Sequence, residues 1–290
     1  YFSRAGIDTV IYEKSDETVS AISSGLTIST IEGDSLINPV ISGDPSVLSD
    51  ADIIFLFVKS YSTAEAVNSV AGIIRPDSII VSLQNGLGNY ENITRYISAG
   101  RVVYGTTTFG AAKISPAKVV FGGKGTVNIG GADSSAVQKV HKLISESEID
   151  VYISDNPERI VWLKALINAG INPVASILGI KNGEILENNN ALELQELILE
   201  EAVAAARFRG NSFEYENILR ETRVICGRTA LNTCSMLQDL RACRKTEIES
   251  INMKITEYGE AAGLDMKCNR TVSLIIRAME EKNIKEGNME

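Results

Sequence analysis

Apolar runs alternate with helical spacing along the first half of the chain. Residues 52–58 have the pattern of a buried strand, with a continuous apolar run at 53–58, residues 64–74 have helical periodicity, and residues 78–83 are predicted as the next strand. A turn-rich segment follows at residues 84–89. Alternating strands and helices of this kind predict a parallel sheet with helices on both faces. The pattern therefore indicates an α/β domain.

The composition changes between residues 101 and 131, which are rich in glycine and threonine. Short strands are predicted at residues 102–104, 119–121 and 126–129, as antiparallel additions to the sheet edge. The glycine-rich residues 122–125 lie between two of these strands. They lack the spacing of a phosphate-binding loop and no helix follows, so we expect a hairpin turn there.

Helical patterning takes over after residue 155. A helix at residues 136–147 and a strand at residues 150–153 close the first domain, and Pro157 is a favourable first helical residue. We expect an α/β domain at residues 1–155 and an all-helical domain at residues 156–290. Its helices are predicted at residues 157–172, 191–208, 212–226, 235–243, 246–262 and 269–281.

Thr246 and Glu249 have the spacing of a capping box, which would place Glu247 in the first turn of its helix.

Composition narrows the classes of function. The chain has 290 residues, 44% hydrophobic and 22% charged, which is ordinary for a globular protein. Its net charge of -9, without a basic run, disfavours binding to nucleic acid or anionic membranes. The apolar runs are shorter than the roughly 20 residues of a spanning helix, and no leader segment opens the chain, so we expect a cytoplasmic protein without membrane contact.

The single histidine, His141, lies in a charged helical stretch, which excludes catalysis by histidine-based triads and histidine-rich metal sites. The four cysteines have the spacing of neither a zinc site nor a redox pair.

Three polar residues recur at helical spacing in an otherwise apolar segment. Lys164, Asn168 and Asn172 lie at i, i+4 and i+8, so they share one helix face over roughly 12 Å. Such residues are costly to bury without partners, so the face is either a hydrated seam between domains or a substrate site. Pro173 disfavours helical geometry at Asn172, so we expect the helix to end there and the Asn172 side chain to point beyond it.

The start of the chain has the pattern of a dinucleotide-binding unit. Residues 1–6 are typical of a helix tail, residues 9–13 of a short strand ending in Glu13, and residues 14–17 of a turn. In a dinucleotide-binding βαβ unit, an acid at this strand end accepts hydrogen bonds from the adenosine ribose. The chain begins at Tyr1 rather than Met, so we expect the first strand and its glycine-rich turn to lie upstream.

The motifs together resemble one family. Lys164-x-x-x-Asn168-x-x-x-Asn172-Pro173 followed by Asn182-Gly183-Glu184 resembles the signature of ketopantoate reductases. Other segments agree in order and spacing: Val58-Lys59, Gln84-Asn85-Gly86-Leu87-Gly88, Gly105-Thr106-Thr107-Thr108, and Ser235-Met236-Leu237-Gln238-Asp239 with Arg241 and Thr246-Glu247. The resemblance spans the whole chain, except for the family's first strand and Gly-x-Gly-x-x-Gly turn.

The resemblance implies a Rossmann-like domain followed by a helical domain like that of 6-phosphogluconate dehydrogenase. It implies NAD(P)H-dependent reduction of 2-dehydropantoate to (R)-pantoate, a step of pantothenate and coenzyme A synthesis, in a cleft between the domains. Hydride transfer to a ketone leaves negative charge on its oxygen, which requires a proton donor. Without a usable histidine, Lys164 is the expected general acid. Asn168 and Asn172 on the same face would hold the substrate's carboxylate or hydroxyl.

Further roles follow from the resemblance. Asn182 and Ser235 would bind substrate, Ala111 would lie beside the cofactor, and Glu247 would meet the cofactor or a substrate hydroxyl. Lys59 and Asn85 would lie under the nicotinamide at the strand ends, where α/β sheets bind ligands, with Asn85 also touching substrate. Taken singly, each of these residues also fits an ordinary structural role, such as a turn or a helix cap. A homodimer through the helical domain is also implied.

The identity of the cofactor stays open between NADH and NADPH. Glu13 favours a free 2′-hydroxyl and would repel a 2′-phosphate, whereas Lys14 would pair with that phosphate. On balance Glu13 favours NADH. Two alternatives to ketopantoate reduction are a related reductase of another 2-oxo or 3-hydroxy acid, and an inactive cofactor-binding fragment.

Overall fold

The computed structural model describes residues 1–287, which form two compact units. The first unit comprises Tyr1–Val58, Ser62–Gln84 and Asn89–Pro157. The second comprises the chain from Glu158 onward together with two short segments from the first half, Lys59–Tyr61 and Asn85–Gly88. These two segments follow apolar strands of the first unit in sequence, so they carry residues from the α/β half of the chain into contact with the helical half.

Parallel strands form the centre of the first unit. The strands of its described residues are β1 (Val10–Tyr12), β2 (Leu26–Thr30), β3 (Gly33–Ile37), β4 (Val40–Ser42), β5 (Ile53–Leu56), β6 (Ile79–Ser82), β7 (Val102–Thr107), β8 (Gly110–Ser115), β9 (Lys118–Gly123), β10 (Thr126–Gly131) and β11 (Asp150–Ile153). β5, β6 and β7 pair in parallel, and β10 and β11 extend the sheet in the order β11-β10-β7-β6-β5. The predicted fold class is confirmed.

Helices cover both faces of this five-stranded sheet. They are α2 (Thr63–Val70), α3 (Asn89–Thr94) and α4 (Ser134–Glu146), whereas α1 (Asp16–Ser23) packs against β2 and β4 of the other two sheets. Successive strand residues point to opposite faces, so Ile80 packs in the cluster that contains α2 and α3, and Val81 packs in the cluster that contains α4. Both side chains are fully buried, which explains why β6 is a continuous apolar run.

The glycine-rich region differs from the prediction. β7 pairs in parallel with β6 and antiparallel with β10, so the antiparallel addition predicted at residues 126–129 is confirmed, whereas residues 102–104 belong to the parallel part of the sheet. β8 and β9 belong to a separate four-stranded sheet of order β3-β2-β9-β8, not to the sheet edge. The predicted hairpin at residues 122–125 is wrong, because β9 and β10 lie in different sheets and do not pair. Composition alone does not distinguish a turn that joins two paired strands from a crossing between sheets.

The segment after β1 was also predicted incorrectly. Of residues 14–17, the last two already belong to α1, and Ser15 is its N-cap, because the Ser15 hydroxyl accepts a hydrogen bond from the Thr18 N–H at 3.2 Å. Asp16 and Glu17 then lie in the first helical turn, where acids are favourable. β1 itself is confirmed, and it pairs in parallel with β4 in a two-stranded sheet.

The second unit is helical. Its helices are α5 (Pro157–Leu178), α6 (Asn189–Phe208), α7 (Tyr215–Arg228), α8 (Ser235–Arg241), α9 (Lys254–Ala261) and α10 (Lys267–Gly287). A 3-10 helix spans Asn182–Glu187 and a π-helix spans Glu249–Met253. α5 lies at the centre of the core, where its Leu166 and Val174 and the Leu199 side chain of α6 are fully buried.

α5 continues six residues past the predicted end. Pro173 lies inside the helix, so the expectation that the helix ends at Asn172 is wrong. Asn172 is buried in the core instead of pointing beyond a helix end. Burial of the surrounding apolar residues outweighs the local preference of a residue before proline.

The predicted capping box does not form. The Glu249 carboxylate binds Arg277 at 2.5 Å, and the Thr246 N–H donates to the Glu280 carboxylate at 2.7 Å. The π-helix is assigned from Glu249, and the Glu247 carbonyl accepts from the Ser250 and Ile251 N–H groups at 3.1 Å, so Glu247 lies at the start of this helical segment as expected. Partners distant in sequence thus replace the reciprocal arm of the box, while the Thr246 hydroxyl still accepts locally from the Ile248 N–H at 3.2 Å.

α5 is long and apolar enough to cross a membrane, with a mean hydropathy of 1.4 over 18 residues. The sequence analysis missed this helix because it considered only uninterrupted apolar runs, and polar residues interrupt the apolar residues of α5. Of that window, 61% is buried inside the structure, as in the core helix of a folded domain.

Gly105 is predicted to be essential for pairing β7 with β10. A Cβ at this position would lie 1.8 Å from the Asn128 carbonyl oxygen, which is backbone and has little freedom to move. We expect Gly105→Ala to lower the free energy of unfolding by about 3 kcal/mol or more. Gly72→Ala is the matched control, since nothing lies within 4 Å of its Cβ, and urea unfolding of both variants checks the difference. Equal stabilities would contradict the prediction.

Candidate active site

The polar row of α5 lies on one continuous helix, as its spacing predicted. Lys164, Asn168 and Asn172 are each separated by four residues within Pro157–Leu178. Lys164 and Asn168 are partly exposed, and Asn172 is only 6% exposed. Residues between them, such as Leu166 and Ala169, are fully buried. The row therefore forms a polar edge on an otherwise apolar core helix.

Burial changes the acidity of the lysine. Removal of water from around the ammonium lowers the pKa of Lys164 from 10.5 to about 8, and the nearby Glu247 carboxylate partly opposes this shift. An amine with a pKa near 8 is protonated at neutral pH, yet gives up its proton far more readily than a surface lysine. This behaviour suits a general acid.

Three predicted site residues meet in one charged network. The Lys59 ammonium donates to Asp239 Oδ2 at 2.6 Å and lies 3.9 Å from Glu247 Oε2. The Asn85 side-chain amide donates to the same Glu247 oxygen at 3.3 Å. Asp239 and Glu247 are buried, with 4% and 7% exposure. Two buried carboxylates are thus joined to a cation and an amide carried by the two short segments from the first half of the chain.

Asp239 is a member of this network to which the sequence analysis gave no role. Besides Lys59, its carboxylate accepts from Arg244 Nε at 3.1 Å. It lies 180 residues from Lys59 in sequence, so no local pattern connects the two. The one signal was its place in the family motif that begins at Ser235.

The π-helix holds the two short segments in place. The Ser250 carbonyl accepts from the Leu87 N–H at 2.7 Å, and the Ser250 hydroxyl lies 2.7 Å from that of Ser60. Gly86 has φ +85°, and a Cβ there would lie 2.4 Å from Ser250 Oγ. Glycine is therefore required for the close approach that fixes the Asn85 segment.

The far end of the polar row contacts the start of α8. The Cys234 thiol donates to the Asn172 carbonyl at 3.6 Å and lies 3.5 Å from Ser176 Oγ. Burial raises the pKa of the Cys234 thiol, which keeps it protonated. Ser235, the next residue, is exposed at the first position of α8. Ser235 is therefore the direct neighbour of Cys234, whose thiol binds the Asn172 carbonyl.

Asn182 makes hydrogen bonds to a different part of the unit. Its side-chain amide donates to Thr229 Oγ1 at 2.9 Å, and its backbone N–H donates to the Asn232 carbonyl at 3.0 Å. These bonds join the 3-10 helix to the end of α7. Among the described residues its buried Oδ1 has no hydrogen-bond partner. The predicted substrate role of Asn182 stays a prediction.

The remaining predicted residues belong to the first unit. Glu13 follows β1, and its Oε1 accepts from the Ser15 N–H at 2.9 Å. Lys14 is exposed and pairs with Glu65 at 2.7 Å, so a phosphate would compete with that carboxylate. Ala111 is exposed on β8. Their cofactor roles stay predictions.

An α/β unit followed by a helical unit is the plan of a two-domain α/β protein, and family comparisons show that it is of the NAD(P)-dependent oxidoreductase class. The family model for ketopantoate reductase PanE/ApbA matches residues 1–134, and that for the ketopantoate reductase PanE/ApbA C terminal matches residues 156–280. The chain belongs to the ketopantoate reductase family. This membership confirms both the resemblance noted in the sequence and the predicted enzyme class.

Relatives match over most of their length. A 2-dehydropantoate 2-reductase of Halobacterium salinarum is 32% identical over 93% of this chain and 89% of that protein. One of Archaeoglobus fulgidus is 32% identical over 95% of this chain and 91% of that protein.

Solved structures share the fold. A complex of D-mandelate dehydrogenase with NADH and anilino(oxo)acetate has a TM-score of 0.91 at 22% identity, covering 97% of this chain and 94% of that chain. A ketopantoate reductase from Ralstonia eutropha has a TM-score of 0.90 at 24% identity, covering 97% and 93%.

Substitutions at two glycines of the Asn85 segment distinguish the effect of backbone strain from the effect of the contact with Ser250. Gly86 and Gly88 both have φ +85°, but a Cβ on Gly88 would meet only the flexible Lys254 side chain, at 3.3 Å. We expect Gly86→Ala to destabilise the protein by roughly 1 to 3 kcal/mol more than Gly88→Ala. Urea unfolding of the two variants measures this difference. Equal losses would show that the Ser250 contact does not constrain the segment.

Proposed function

We propose that this protein reduces 2-dehydropantoate to (R)-pantoate with a nicotinamide cofactor, with Lys164 as the general acid. The observation that carries this proposal is the lowered pKa of Lys164, about 8, on the helix face that also presents Asn168 and Asn172. Relatives named 2-dehydropantoate 2-reductase, 32% identical over nearly the whole chain, support the choice of substrate. The proposed reaction would contribute to pantothenate and coenzyme A synthesis.

The residues present fit a nicotinamide dinucleotide. Parallel α/β sheets bind such ligands at the carboxyl ends of their strands. Lys59 and Asn85 follow β5 and β6, which are parallel neighbours in the five-stranded sheet, and Glu13 follows β1, which is parallel to β4 in a separate two-stranded sheet. The hydrogen bond from the Ser15 N–H holds the Glu13 carboxylate at its strand end. The cofactor, when bound, supplies the hydride that reduces the ketone carbon.

In this proposal the chain supplies the proton and orients the substrate. Lys164 Nζ donates a proton to the ketone oxygen as negative charge develops there. The Asn168 and Asn172 amides, one and two turns further along α5, bind the substrate's carboxylate and hydroxyl. Ser235 and Asn182 add contacts from the following segments. Glu247 keeps Lys164 protonated at neutral pH, because its negative charge raises the pKa of the lysine.

Asp239 has a supporting role in the same scheme. Its carboxylate binds the Lys59 ammonium at 2.6 Å. The same ammonium lies 3.9 Å from Glu247, so Lys59 stays near Glu247 while it pairs mainly with Asp239. Asn85 donates to Glu247 from the other segment. The site is therefore oriented by a chain of contacts that runs from Arg244 to Asn85.

The related alternative is reduction of another 2-oxo acid on the same scaffold. Initial rates with a panel of 2-oxo acids, including 2-dehydropantoate and the oxo acid that corresponds to mandelate, distinguish the two. A preference for 2-dehydropantoate supports the proposal, and turnover confined to another acid contradicts it. The homodimer and the cytoplasmic location remain predictions.

The pH dependence of reduction should follow Lys164. The proton donor is present below its pKa, so kcat/KM should be constant at low pH and fall about tenfold per pH unit above pH ~8. Glu247→Gln removes a charge that raises this pKa, so the fall should begin at lower pH. Lys164→Met should reduce kcat by roughly 10²–10⁴-fold.

Lys267→Met is the control for this experiment, since Lys267 is an exposed lysine paired with Asp265 and should leave the rate unchanged. A Lys164→Met variant with the full rate, or a pH profile that Glu247→Gln does not move, would contradict the assignment.

We further propose that Glu13 favours NADH over NADPH. Glu13→Ala removes the charge that would repel a 2′-phosphate, so the ratio of NADPH to NADH activity should rise by roughly tenfold. Lys14→Ala is the matched variant and should lower the same ratio, if the lysine leaves Glu65 to pair with the phosphate. Ratios of kcat/KM with the two cofactors provide the measurement. A ratio unchanged in Glu13→Ala would refute this proposal.

A further inference from the structure

Helix α5 contains a break in its hydrogen bonding. Pro173 has no N–H, so the Ala169 carbonyl four residues earlier loses its helical donor, and the proline ring also crowds that carbonyl. Ala169 is fully buried, so bulk water does not replace the donor. A buried carbonyl without a partner is costly, so the fold requires another donor at this point.

The side chain of Asn252 is that donor. Its Nδ2 lies 3.2 Å from the Ala169 carbonyl oxygen and 3.1 Å from Asn269 Oδ1. The Asn269 amide in turn donates to the Ile198 carbonyl at 2.9 Å. Asn252 and Asn269 are both fully buried. An amide has two N–H groups, and each of those on Asn252 therefore has a defined acceptor.

A second amide binds the next carbonyl of α5. Gln195 Nε2, from α6, lies 3.1 Å from the Gly170 carbonyl oxygen, and Gln195 is also fully buried. Two consecutive carbonyls at the break thus accept hydrogen bonds from outside the helix. This part of α5 is held by side chains of neighbouring elements as well as by its own backbone.

The break lies inside the polar row. Ala169 directly follows Asn168, and Pro173 directly follows Asn172, so the carbonyl that Asn252 binds lies between the two asparagines. We propose that Asn252 is a positioning residue, which fixes the orientation of Asn168 relative to Asn172 by replacing the hydrogen bond that Pro173 removes.

The placement of Asn252 strengthens this inference. It lies in the π-helix, two residues after Ser250, which binds the segments that carry Lys59 and Asn85. One short element therefore contacts the polar row on one side and both loop segments on the other. π-helical turns are uncommon and occur often at functional sites.

A double-mutant cycle tests the pairing without reference to activity. Asn252→Ala should raise the unfolding equilibrium constant roughly tenfold or more, because it leaves a buried carbonyl unpaired. Pro173→Ala restores an N–H to α5, so adding Asn252→Ala to it should cost at least about fivefold less than in the native background. The loss of the Asn269 bond is common to both backgrounds and cancels.

Thr222→Ala is the control, since it removes a buried hydrogen bond within α7 and should be additive with Pro173→Ala. Additive losses for Asn252→Ala and Pro173→Ala would overturn the pairing. If Asn252→Ala alone does not fold, recovery of folding by Pro173→Ala supports the pairing, and failure to recover overturns it.

The positioning role is tested by kinetics, and this arm rests on the proposed function. Asn252→Ala should raise KM for 2-dehydropantoate roughly tenfold, with a smaller change in kcat. The pH at which kcat/KM falls should stay the same, because Lys164 lies on the side of the break away from Pro173. A stability loss with unchanged KM would show that Asn252 is merely structural. Absence of turnover in the native protein would refute the proposed function, while the folding cycle would still decide the pairing.

Discussion

Lys164 is an ammonium group on the core helix of its unit, and the cost of removing water from that charge organises the site. Burial alone would favour the neutral amine, and it lowers the pKa to about 8. The Glu247 carboxylate opposes the shift. Because Glu247 is itself buried, it also needs polar partners, which Asn85 and Lys59 supply. Lys59 then requires Asp239, and Asp239 also binds Arg244. One largely desolvated charge thus leads to a connected set of side chains.

These partners come from distant parts of the sequence, so the backbone must bring them close together. The π-helix does this through Ser250, which binds the Leu87 N–H and approaches the Ser60 hydroxyl. The approach leaves no space for a side chain at position 86, where φ is also positive. The glycine, the serine and the irregular helix are therefore explained together by one close contact.

Repeating patterns predicted much of this architecture. The parallel strands and the α5 row followed from periodicity, because residues at i, i+4 and i+8 share a helix face in any context. Contacts between distant residues were not predictable in this way. Lys59 and Asp239 are 180 residues apart, and the expected capping box lost its members to Arg277 and Glu280. The helix end expected at Asn172 was wrong because burial of the apolar residues of α5 outweighs the local effect of Pro173, and Asn252 donates to the Ala169 carbonyl from outside the helix.

The two buried carboxylates of the network differ in the cations beside them. Asp239 accepts from Lys59 at 2.6 Å and from Arg244 at 3.1 Å, so two cations balance it at close range. Glu247 accepts from a neutral amide at 3.3 Å, and its distance to the Lys59 ammonium is 3.9 Å. Coulomb energy falls with distance, so the Lys59 ammonium pairs more strongly with Asp239 than with Glu247. Glu247 is accordingly the carboxylate that raises the pKa of Lys164, while Asp239 fixes the position of Lys59.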